Sequence, residues 1–234
     1  MKTIAIVAAL VILTAAGAIA ADWQWPAQMT LGNFQITAIS GSVDANGSGR
    51  ATGTLQIPRM GNFAVVLSRS PQGDITGAAA INAAVSGGTL QGNFTLSNTG
   101  LAGRGALQCN TGPLESSDIS ISNKGVATGS GSVRLGRLNA PVQFSASASS
   151  CGISGEVPVS AQLDTPMASY KLSGVLALRT NLNALSGTLS GKVERTGKVS
   201  NQVTTTDLPR THVDLSNGQC TVNVGGVSVT FSIF

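Results

Sequence analysis

A chain of 234 residues with 42% hydrophobic and only 10% charged residues is too apolar and too weakly charged to be disordered. Its length suits one large β domain or two small ones. The formal charge of +4 comes from fourteen Lys and Arg scattered singly, and aromatics make up 4%, whereas nucleic-acid binding needs a clustered basic face with stacking aromatics.

The N-terminus carries an address. Lys2, the apolar run from Ile4 to Ala16 and the triplet Ala18-Ile19-Ala20 have the charge, core and small-x-small order of a signal peptide over residues 1–20, leaving one domain over 21–234. The run from Ile4 to Ala21 also approaches the ~18 to 20 residues of a membrane span, so a retained anchor is the alternative. The Ala-x-Ala triplet favours cleavage and export. No later segment is long and apolar enough to cross a membrane as a helix.

The mature chain reads as strands. Trp23 and Trp25 open it on alternate positions, fitting either a first strand that covers the end of a core or a pair resting at a membrane interface. Phe34, Ile36 and Ala38 alternate, and Asn46-Gly47 predicts a hairpin with a type I′ turn, whose two central residues need positive φ. Phe63, Val65 and Leu67 continue on one side before a reversal at Ser70-Pro71-Gln72-Gly73. Ile75 to Val85 is rich in Ala, but its period of two and Gly77 favour strand over helix. Leu90, Phe94 and Leu96 alternate, Gly100 to Gly105 predicts a glycine-rich turn, and Ala106 to Cys109 begins the return. Further runs hold Ile119 and Ile121, Val133 and Leu135, Val142 and Phe144, then Val157, Val159, Ala161 and Leu163.

The clearest pattern lies in YKLSGVLALRTNLNALSGTLSGKVER, Tyr170 to Arg195. Tyr170, Leu172, Leu176 and Leu178 share one parity, as do Leu185, Leu189 and Val193, so each run has one apolar face. Thr180 to Ala184 reads as the hairpin loop between them. At the C-terminus, Val213 and Leu215, then Cys220, Val222 and Val224, then Val227, Val229, Phe231 and Ile233 predict a three-stranded meander turning at Asn217-Gly218 and Gly225-Gly226. On the order of fourteen short strands, about twelve to fifteen residues apart, specify an all-β and predominantly antiparallel fold: a curled or elongated sheet built as a meander, half-barrel or sandwich. GTLQI, GTLQGNFTL, GSVRL, GVLAL and GTLSGKV each place a glycine ahead of a run, where it marks a bend, a bulge or close backbone approach. Their irregular spacing argues against a strict solenoid. The aromatic ending invites an outer-membrane barrel, which strands shorter than ~9 to 11 residues and missing aromatic girdles argue against.

KLSGVLALRTNLNALSGTLSGKV resembles the strands of the AsmA and TamB group of bacterial envelope proteins, with their L-x-G-x-L and L-S-G-T-L-x-G runs. The resemblance covers Gly41 to Val193 in style and Tyr170 to Val193 closely. It implies a long curled sheet with an apolar groove that handles lipid in the envelope, although this chain is far shorter than members of that group. No functional residue carries over from it.

Chemistry-bearing residues are sparse. Cys109, Cys151 and Cys220 allow one internal bridge out of three pairings. Turn-rich settings favour Cys109 with Cys151, and three buried free thiols are the alternative. No pair has C-x-x-C spacing and His212 stands apart from the cysteines, so no metal site is expected. His212 and Asp214 would share a strand face, but no G-x-S-x-G marks a nucleophile. The expectation is an exported, non-enzymatic envelope protein without cofactor, associating with a membrane peripherally or forming oligomers. It would bind lipid in an apolar groove lined by Leu172, Leu176, Leu178, Leu185, Leu189 and Val193, or act as a structural or assembly subunit through exposed strand edges.

Overall fold

The computed structural model describes residues 23–109, 112–181 and 184–234. The expected signal peptide, residues 1–20, lies outside the described residues. Every regular element is a strand. In chain order these are β1 (Met29–Leu31), β2 (Phe34–Val43), β3 (Gly49–Ile57), β4 (Gly61–Arg69), β5 (Ile75–Val85), β6 (Gly88–Ser97), β7 (Gly100–Cys109), β8 (Gly112–Ile121), β9 (Ala127–Leu135), β10 (Leu138–Ala146), β11 (Cys151–Asp164), β12 (Ala168–Asn181), β13 (Ala184–Gly197), β14 (Val203–Val213), β15 (Gln219–Val224) and β16 (Val227–Ser232).

Strands β1 to β14 follow one another in sequence order across a single 14-stranded sheet, while β15 and β16 form a separate hairpin. The large sheet is an antiparallel meander that is not closed into a barrel, with β1 and β14 at its two edges. Apart from β1, its strands run from 9 to 14 residues, so the expectation of strands too short to span a bilayer is corrected. What separates the sheet from a membrane barrel is its open edges and its apolar side, which is the buried one. In β5, Gly77, Ala79, Ile81, Ala83 and Val85 are buried while the residues between them are exposed.

Contacts divide the chain into two compact units, and β5 to β8 contribute residues to each. In the first, Ile36, Leu55 and Leu67 reach 0% exposure. A Cβ on Gly32, in the β1–β2 turn, would meet Gly100 at the start of β7, and one on Gly125 would meet Pro58 in the β3–β4 turn. The β1–β2 and β3–β4 turns of this unit therefore lie against its β6–β7 and β8–β9 turns. In the second unit, Ser86 N–H donates to the Ser147 carbonyl at 2.8 Å, tying the β5–β6 turn to the β10–β11 turn. Residues Cys220, Val222, Val224, Val229 and Phe231 of the β15–β16 hairpin are buried there.

Local conformation follows from turn chemistry. In three hairpin loops the first residue accepts from a glycine three positions on: Gly47 donates to Asp44 (2.9 Å), Gly73 to Ser70 (3.0 Å) and Gly125 to Ser122 (3.0 Å). The same first residue donates to the carbonyl four positions on, and each glycine has positive φ. Asp44-Ala45-Asn46-Gly47 is thus a turn with only Gly47 in the left-handed region, and the type I′ expectation is corrected. Gly225 and Gly226 both have positive φ (60° and 82°) and make the I′-like turn of the C-terminal hairpin.

Other expectations are corrected by register. Ala38 is exposed with φ +51° at an irregularity between Thr37 and Ser40, so the buried parity passes from Ile36 to Ile39. An extra residue in a strand does this because it shifts every later side chain to the other face. Gly100 to Gly105 is not a turn but the first half of β7, with Leu101 at 2% exposure. Residues Thr180 and Asn181 pair with Leu185 and Ala184, so the reversal is shorter than Thr180 to Ala184. Its remaining positions, 182 and 183, lie outside the described residues. The three-stranded C-terminal meander is replaced by β14 in the large sheet and a hairpin joined to it by one bridge, Asp214 to Gln219.

Candidate functional site

The six residues expected to line a groove lie on β12 and β13, which pair along their whole length from Ala168 with Gly197 to Asn181 with Ala184. Leu172, Leu176, Leu178, Leu189 and Val193 each have 0% exposure, and Leu185 is half-buried. They are packed into the core of the second unit. A ligand would have to displace that packing to reach them.

Cys109, at the end of β7, and Cys151, at the start of β11, are disulfide-bonded with Cα atoms 6.4 Å apart, the pairing that their turn-rich settings favour. The closed loop of 42 residues stabilises by about 4 kcal/mol through restriction of the unfolded chain. Cys220 is free and buried, and burial pushes its thiol above the ordinary range.

Trp23 and Trp25 precede β1 without entering a strand. Their rings meet edge to face at 5.0 Å, Trp25 donates its indole N–H to the Ser42 carbonyl at 3.1 Å, and the Arg69 guanidinium lies 4.6 Å from the Trp23 ring centre. Arg69 also donates to the Gly47 carbonyl, so it ties the Trp pair to the β2–β3 loop. This makes the pair a strap across β2, and the first-strand expectation is corrected.

His212 and Asp214 lie exposed at the end of β14. The Asp214 carboxylate accepts from the Ser216 hydroxyl at 2.6 Å and the Ser216 N–H at 2.9 Å, which, with the nearby Asn217 and His212, hold its carboxyl below the usual range. The one serine hydroxyl bonded here, that of Ser216, donates to Asp214 itself rather than to His212, which is not the arrangement of a nucleophile and its base. Among the described residues, no group of three His, Cys, Asp or Glu could hold a metal ion.

A surface that sequence reasoning did not locate lies at one end of β11 to β14, wholly in the second unit. Among the described residues six large apolar side chains are well exposed, and the three most exposed, Val199 (91%), Met167 (72%) and Val203 (61%), come together there. Lys198 N–H donates to the Met167 carbonyl at 3.0 Å, fixing the β13–β14 turn to the β11–β12 turn, and Gly197 N–H donates to the Gln202 carbonyl at 3.0 Å, closing the β13–β14 turn. From this tip runs the outer edge of β14. Its middle is interrupted where Leu189 pairs with Thr211 but Gly191 pairs with Leu208, leaving Pro209 and Arg210 opposite Ser190. A bulge, a proline and a charge are the devices that keep an edge from pairing. Residues Val203-Thr204-Thr205-Thr206 carry none of them and are β-branched throughout.

Comparison with protein-family models, characterised proteins and solved structures finds no match.

Proposed function

We propose that this is an exported, non-catalytic envelope protein that acts as a structural or assembly subunit, adding a strand of a neighbouring subunit to the Val203–Asp207 edge of β14. The observation that carries the reading is an unprotected β-branched edge beside the exposed Met167, Val199 and Val203. Burying these side chains and pairing the free backbone groups would stabilise an interface together. The disulfide supports an oxidising compartment, in keeping with the N-terminal address.

The neighbouring subunit that fits best is a second copy. If two β14 edges pair antiparallel about Thr205, Thr204 opposes Thr206 and Val203 opposes Asp207, with no like charges opposed. Such pairing is isologous and closes as a two-fold dimer. Lipid binding, the other expectation, has less support because five of the six expected groove residues are fully buried.

Native mass spectrometry of the mature protein tests this. A dimer that Thr205→Lys converts to monomer supports edge pairing, because an edge lysine blocks strand addition. A monomer carrying co-purified lipid overturns it in favour of lipid binding.

A further inference from the structure

The first unit holds a cleft of about 720 Å³ formed by the β1–β2, β3–β4 and β8–β9 turns and the adjoining ends of β2, β3 and β4. This falls within the roughly 300–1,000 Å³ typical of small-molecule sites. The polar part of its lining follows from register. Gln35 pairs with Gln56, and Gln56 with Asn62, so three amide side chains stand in one row across β2, β3 and β4, about 4.8 Å from strand to strand. Asn33, from the β1–β2 turn, and Asn123, from the β8–β9 turn, add two more amides. Arg59, in the β3–β4 turn, sits at φ +65°, an uncommon conformation for a residue of its size.

Among the described residues, none of these six polar side chains makes a hydrogen bond within the protein. Pro58, exposed in the β3–β4 turn, gives the cleft apolar surface, whereas Phe34 and Ile57, at 3% and 2% exposure, alternate with the amides and face the core. The lining selects by chemistry. It has no carboxylate for a cation, and a single guanidinium is little for a phosphate. Five amides, each with paired donors and an acceptor, match hydroxyl groups that must both donate and accept. Apolar surface alongside matches the C–H face of a sugar ring.

We infer that this cleft binds an oligosaccharide, with Gln35, Gln56 and Asn62 hydrogen-bonding its hydroxyls and Arg59 taking an acidic or hydroxyl substituent at one end. This goes beyond the assembly role and is independent of it, since the cleft and the β14 edge belong to different units.

The test is titration of the full mature protein with chitotetraose, cellotetraose and maltotetraose, followed by isothermal calorimetry and amide NMR. Saturable binding of at least one, with shifts confined to residues 33–35, 56–62 and 123, is expected. The Gln35→Ala/Asn62→Ala double variant should weaken it at least tenfold, while Gln143→Ala, exposed on β10, should leave it unchanged. All three substitutions are at exposed strand positions, and an unchanged melting temperature establishes that the variants fold. Absence of saturable binding to all three sugars overturns the inference, as does binding that the double variant retains or shifts that map elsewhere.

Discussion

Cys220 sits at 1% exposure on β15, and burial holds its thiol above the ordinary range because desolvation disfavours the thiolate. The folded protein therefore binds this proton more tightly than the unfolded chain. The stability it contributes is complete below the unfolded value of about 8.5 and is lost as pH rises from there through the folded value. Denaturant unfolding followed from pH 7 to 10 should show a decline in the wild type that Cys220→Ala flattens. Asp214 works in the opposite sense, because its carboxyl is lowered by the Ser216 hydroxyl first. Its contribution is present at neutral pH and fades as pH falls through the folded value, so Asp214→Asn should lessen acid sensitivity. Leu189, at 0% exposure, separates two views of the β12–β13 face. As a core residue its change to alanine should cost about 2–5 kcal/mol, measured by chemical denaturation; a groove-lining residue would leave stability nearly unaltered.

At the scale of elements, alternation was readable wherever one side of a strand is buried, and it failed where the backbone departs from regular pairing. Ile75 to Val85 reads correctly because every second residue from Gly77 to Val85 is buried. Ala38 reads wrongly because an irregularity in β2 leaves no mark in the residue types. Gly100, Gly103 and Gly105 suggested a turn because glycine serves turns and crowded strands alike. A Cβ on Gly103 would run into the Asn93 carbonyl of the neighbouring strand, so there it is needed for close approach. Gly191 follows the same logic in β13, next to the irregularity in its pairing with β14. A Cβ there would strike the Ser173 carbonyl and lie 2.5 Å from the Gly174 Cα. Gly191→Ala should destabilise by about 1–3 kcal/mol through this clash, and the loss should appear in denaturant midpoints without a change in slope. The amide row of the cleft was not legible because Gln35, Gln56 and Asn62 become neighbours only through the registers of β2, β3 and β4. The β14 edge was legible only as a general possibility, because no sequence pattern says which of many β-branched runs ends a sheet.

At the scale of the whole molecule, the sheet's sequential order means that nearly all pairing is between consecutive strands. Such a meander is stabilised locally at each hairpin, and little in the pairing itself holds distant strands together. The Cys109–Cys151 bridge supplies a covalent link in the second unit, joining β7 to β11 across three intervening strands. Restricting the unfolded chain is worth about 4 kcal/mol for this loop, a large share of the ~5–15 kcal/mol by which domains are stable. The Cys109→Ala/Cys151→Ala variant should therefore unfold at markedly lower denaturant, with a loss of about 2–4 kcal/mol. Wild-type protein in excess reductant should fall to the same midpoint. Agreement between the two would assign the loss to the cross-link rather than to the substituted side chains. If the variant matched the oxidised wild type, hairpin-by-hairpin pairing and the two packed cores would be sufficient to hold the fold without the bridge.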